Sequence, residues 1–164
     1  MDVILNEIEK ALDSGLYYLA LVSVLSLPDV CSALESPDGS TAGTQYKAWY
    51  DRWLAARYPR LTRDDIYRLR CGVVHQGRFG HPGMQYARVL FTLPNANRLV
   101  FHKNVISDAL NLDAVTFCRD IVHAVREWYE DRKNDPVVKA NLARLLKLYP
   151  DGLAPYIVGV PVIT

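Results

Sequence analysis

Thr62-Arg63-Asp64-Asp65-Ile66-Tyr67-Arg68-Leu69-Arg70-Cys71-Gly72-Val73-Val74-His75-Gln76-Gly77 decides the fold class of this chain. Thr62 offers a hydroxyl to cap a helix N-terminus, Asp64 and Asp65 suit the positive end of the dipole, and Gly77 suits a left-handed stop. The stretch therefore predicts a helix from about Thr62 to His75. At roughly 100° per residue, Ile66, Tyr67, Leu69, Val73 and Val74 form one apolar arc, with Asp64, Asp65 and Arg68 opposite. Arg70 falls near the middle of that arc. An unpaired guanidinium there costs several kcal/mol, so Arg70 needs an acidic partner, a subunit edge or an anion from outside. His75 lies about 140° further round the helix. The two side chains share a site only if the arginine reaches along the helix, if the helix frays at Gly72, or if two copies of the chain meet.

Helical spacing extends to both sides. Ile4, Leu5, Ile8, Ala11 and Leu12 predict a first helix, and Ser14-Gly15 breaks it. The apolar run from Leu16 predicts a buried helix to Ser26, with Pro28 opening a short one over residues 29–34. Residues 36–43 are turn-forming, and Tyr46, Trp49, Tyr50, Trp53 and Leu54 mark a helix over about 44–58. Its aromatics suit a core. Arg88–Leu93 and Arg98–His102, separated by Pro94-Asn95-Ala96-Asn97, predict a β-hairpin at about 88–102. Phe117, Ile121, Val125 and Trp128 predict a helix over about 113–133. Asp135-Pro136 opens a last one, with Val138, Leu142, Leu145, Leu146 and Tyr149 inward. The tail from Tyr156 is extended and apolar, able to pack on the body or to pair with another chain. The expectation is a mainly α fold, a bundle of four to six helices with a small hairpin insertion, forming one domain over residues 1–164.

The chain has 164 residues, half of them hydrophobic, enough for one substantial core. Its net charge of +1 argues against a general polyanion binder. Between Arg52 and Arg78, however, seven arginines face two acids, an excess of five positive charges that suits a phosphate-facing patch or a solvated helical surface. Arg63, Arg68, Arg78 and His81 are the candidate RNA-binding residues of this region. Cys31, Cys71 and Cys118 are odd in number and widely spaced, a pattern of reduced cytoplasmic thiols rather than a disulfide framework. Leu16–Leu27 is shorter than the roughly 20 residues that span a bilayer. Met1-Asp2 lacks the basic start of a secretion signal, so no membrane and no export are expected.

Arginine and histidine are suited to gripping a phosphate and moving a proton near neutral pH. Arg70 on a scissile phosphate, with His75 as general base or acid, would allow attack of a ribose 2′-hydroxyl on the adjacent phosphorus without a metal. Cys71 and His75 have ligand-like i, i+4 spacing but no third ligand near them, so neither metal nor cofactor is expected. No phosphate-binding, dinucleotide-binding, nucleophile-elbow or metalloprotease motif is present. The second explanation of Arg70 is structural, as the partner of an internal acid such as Asp29 or Asp120.

A helical domain with Arg-x4-His at a helix end resembles the HEPN superfamily (higher eukaryotes and prokaryotes nucleotide-binding), with Tyr67–Gly77 similar to its signature region. The resemblance implies a four- or five-helix bundle, frequently a homodimer, in which the arginine and histidine of both subunits form a metal-independent endoribonuclease site. Many members act as toxins or defence factors, the toxins alongside an antitoxin. Others only bind nucleotide or partner proteins. Arg70 and His75 are the residues that carry over. Cys71 stands where active members commonly have a polar residue, often asparagine.

Overall fold

The computed structural model describes residues 1–79 and 83–164. The protein is mainly helical. Six α-helices are present among the described residues: α1 (Asp2–Asp13), α2 (Tyr17–Glu35), α3 (Gly43–Trp53), α4 (Arg63–Gln76), α5 (Ala114–Arg132) and α6 (Pro136–Leu142). A 3-10 turn, Ala55–Arg57, replaces the last turn expected of the third helix. The second helix is at the centre, packed against α1, α3, α4, α5 and α6. Most of its side chains from Ala20 to Leu34 are apolar and buried, as a helix with neighbours on several sides requires.

Residues 16–34 were expected to form two helices, and they form one. Pro28 lies inside α2 and is itself buried. Proline removes one rung of the ladder, and packing on both sides of the break holds the helix together. Ser32 donates to the Pro28 carbonyl at 2.7 Å. At 19 residues with a mean hydropathy of 1.5, α2 is long and apolar enough to cross a membrane, but half of that stretch is buried within the fold. It is the core helix.

The hairpin expected at 88–102 is not formed. Its first arm is a strand, β1 (Arg88–Thr92), but residues 98–102 carry none. β1 instead pairs in parallel with β3 (Ala109–Asp113), with Val89 opposite Leu110 and Phe91 opposite Leu112. The antiparallel hairpin lies further on, where β2 (Asn104–Ile106) pairs with β3. Ser107 and Asp108 join these arms with φ of 49° and 59°, the two left-handed residues of a tight two-residue turn. The sheet order β1-β3-β2 follows from burial: all five residues of β3 are buried, so that strand takes the centre. Between Leu93 and Leu99 the Asn95 side chain folds the chain back on itself, donating to the Leu99 carbonyl at 2.8 Å and accepting from the Leu99 N–H at 3.2 Å.

Asp113 ends β3 and caps α5, its carboxylate accepting from the Thr116 N–H at 2.8 Å. On α5, Phe117, Ile121, Val125 and Trp128 are fully buried, and each such side chain contributes about 1.5–3 kcal/mol. The last helix stops at Leu142, short of the expectation. Leu146 is exposed rather than inward, because the chain turns there into a ribbon. In that ribbon β4 (Leu148–Tyr149) pairs with β7 (Val162–Ile163), enclosing β5 (Gly152–Leu153) and β6 (Ile157–Val158). Asn141 is buried at the far side of α6 and donates to the Leu34 and Ser36 carbonyls, satisfying the end of α2.

Candidate functional site

The site is built on α4, whose ends match their sequence signals: Thr62 accepts from the Asp65 N–H, and Gly77 terminates the helix at φ 63°. Asp65, expected on the polar face, is buried. Its carboxylate accepts from the Thr62 hydroxyl at 2.7 Å and from the Gln85 N–H at 2.9 Å, tying the chain at Gln85 to the start of the helix.

Arg70 reaches along its own helix. Its Nε donates to Asp29 Oδ2 at 2.7 Å, and one terminal nitrogen stands 2.5 Å from His75 Nε2. The helix is unbroken through Gly72, so neither fraying nor a second copy is needed to bring them together. Guanidinium only donates, so a hydrogen bond across this contact uses the Nε2 lone pair of the imidazole. The Arg70 and Asp29 side chains are 17% and 16% exposed, while His75 faces solvent. Burial raises the Asp29 carboxyl above its ordinary value, against the lowering pull of Arg70 and His75. Burial opposes the charge on Arg70, yet Asp29 and Cys71 together hold the guanidinium above its usual value. The geometry is that of an arginine fixed from one side by a carboxylate, with its outer edge presented to a histidine.

Cys71 and Tyr67 flank the arginine on its helix. The Cys71 sulfur is 4.0 Å from the same terminal nitrogen that meets His75. One turn back, the Tyr67 ring packs edge-on to Tyr46 and beneath the Lys47 ammonium. Gly43 makes room for it, since a Cβ there would stand 2.6 Å from the Tyr67 ring. Burial, with Cys71 next, raises the Tyr67 hydroxyl.

The other cations are dispersed. Arg63 lies at the opposite end of α4, about 18 Å along the axis from His75, and pairs with Asp51 at 3.0 Å. Arg68 points away from Arg70 and donates to the Gly83 carbonyl. Arg52 and Arg57 pair with Asp131 and Glu127. The excess of positive charge along the sequence is thus largely offset in space by acids from α3 and α5. Arg78 is exposed two residues past the helix, near His75, and His81 lies outside the described residues.

No protein-family model, curated protein or solved structure matches the chain. What Arg70 and His75 can do follows from their surroundings. Of the two acids considered for Arg70, Asp29 is the partner; Asp120 accepts instead from the Tyr58 hydroxyl at 2.7 Å. Forty-one residues separate Asp29 from Arg70, and no local spacing announces the pair. Tyr67 was readable, one turn before Arg70 on the same arc. Among the described residues no three His, Cys, Asp or Glu side chains cluster as metal ligands would.

Proposed function

We propose that this protein is a HEPN-like, RNA-binding, metal-independent endoribonuclease of the toxin or defence type, acting in the cytoplasm as a homodimer. The observation that carries the proposal is the contact of an Asp29-held guanidinium with an exposed imidazole, 2.5 Å apart at a helix end. A phosphodiester entering there replaces His75 as the partner of the outer Arg70 nitrogen. The freed Nε2 lone pair then takes the proton of the ribose 2′-hydroxyl. The 2′-oxygen attacks phosphorus, Arg70 neutralises the charge that builds on the phosphoryl oxygens, and the 5′-oxygen leaves. The products are a 2′,3′-cyclic phosphate and a 5′-hydroxyl. A second copy's His75, protonated, supplies the proton for the leaving oxygen in the dimer.

Cleavage of single-stranded RNA in EDTA tests this. His75→Ala lowers the rate about 10²- to 10⁴-fold and Arg70→Ala about 10²- to 10³-fold. Equal rates in wild type and both variants would defeat the proposal. A second reading has its own observation, the 2.7 Å ion pair of Arg70 with Asp29. In it, Arg70 serves structure within a non-catalytic nucleotide- or protein-binding domain, and wild type shows no cleavage.

A further inference from the structure

Beyond His75 the chain enters a cleft that the cleavage chemistry leaves unused. Tyr17, Tyr18 and Leu21 of α2 form one wall, β1 with Arg88 and Phe91 forms the other, and Phe79 closes one side. The rings are open to solvent: Tyr18 is 54% exposed and Phe79 41%. Phe79 leans on Phe91 with ring centroids 5.3 Å apart, which holds an exposed ring in place without covering it. The cleft adjoins the Arg70–His75 site. A Cβ on Gly77, two residues past His75, would stand 3.8 Å from the Tyr18 hydroxyl.

We propose that this cleft is a nucleobase subsite. It takes the base of a nucleotide next to the scissile phosphate of single-stranded RNA, stacked between Tyr18 and Phe79, with Arg88 on that nucleotide's phosphate. This rests on the ribonuclease reading and adds what that reading lacks, a place for the base. Three features favour a nucleotide over a second copy of the chain. Exposed aromatic faces suit stacking on any base, because every base has a π-face. A cation in the wall matches a phosphodiester, whereas an apolar protein interface has its core depleted of charge. The cleft also lies close to the imidazole that meets the scissile group: its Tyr18 hydroxyl stands beside Gly77, and Phe79 follows His75 by four residues.

The test measures binding, not cleavage, by fluorescence anisotropy of a labelled single-stranded RNA in EDTA. The His75→Ala chain is the parent, because it binds without cutting. In that background Phe79→Leu keeps an apolar side chain of similar size but removes the ring, and weakens binding about 5- to 150-fold, while Phe79→Tyr retains it. Arg88→Ala weakens binding and lowers the slope of log affinity against log salt by about one. An RNA with one abasic position loses affinity to the parent but none to Phe79→Leu. If Phe79→Leu binds as well as its parent, the subsite is wrong while the nuclease reading survives. If the parent binds no RNA at all, both fall. If Phe79→Leu or Tyr18→Ala instead turns a dimer into a monomer on a sizing column, the cleft is an interface between copies and the proposal is overturned.

Discussion

Asp29 is the residue on which the placement of Arg70 depends. Replacing it with asparagine keeps shape and removes charge, leaving a mostly buried guanidinium with a weaker partner. The expected cost is about 1–3 kcal/mol, read as a lower Tm in thermal unfolding. An unchanged Tm would mean that the pair does not hold the arginine. His102 offers a second test at this scale. Its Nδ1 accepts from the Asp113 N–H at 3.0 Å, and burial first, then Lys103, lowers its pKa from the usual value against the pull of Asp120 and Asp113. The fold favours neutral His102, so this contribution is complete above the unfolded value near 6.5 and is lost as pH falls through the lower folded value. Titration of its ring protons by NMR is expected to show a midpoint below 6.5; a midpoint at or above it would contradict the burial argument. What the sequence shows of Arg70 is its misplacement on an apolar arc. Its partner across 41 residues is a tertiary fact that no local spacing carries.

At the scale of elements, Asp65 joins the cap of α4 to Gln85. Asp65→Ala leaves the Gln85 N–H and the Thr62 hydroxyl without their carboxylate acceptor at the start of the helix and is expected to destabilise the fold by about 1.5–3 kcal/mol, measured by denaturant unfolding. A loss under 0.5 kcal/mol would show that the tie is idle. The turn between β2 and β3 gives a prediction of opposite sign. Ser107 and Asp108 both hold positive φ, which asparagine and glycine tolerate better. The double variant Ser107→Asn, Asp108→Gly is expected to gain about 1 kcal/mol in the same measurement; a loss would contradict the turn. The helices were legible because period, caps and breakers agree in them, most clearly in Thr62–Gly77 and Asp135-Pro136. The sheet was not. Pro94-Asn95 reads as a hairpin turn, whereas the true turn, Ser107-Asp108, lacks glycine. β3, buried along its whole length, shows no alternation to mark it. Pro28 misled for a related reason, since burial from several sides outweighs the missing rung.

At the scale of the molecule, α2 runs through the middle of the bundle and brings Tyr18 to one end of α4 and Asp29 to the arginine. One helix thereby sets both the cleft and the charge pair. Of the two readings open for the local excess of positive charge, the ion pairs favour the solvated surface: the arginines of α3, the 3-10 turn and α4 meet acids from α3 and α5. The central claim is that Arg70 and His75 direct a 2′-hydroxyl onto phosphorus. Analysis of the RNA ends formed in EDTA tests it most directly. The account predicts 2′,3′-cyclic phosphate and 5′-hydroxyl ends from wild type, lost in His75→Ala; 5′-phosphate ends, or no cleavage by wild type, would contradict it.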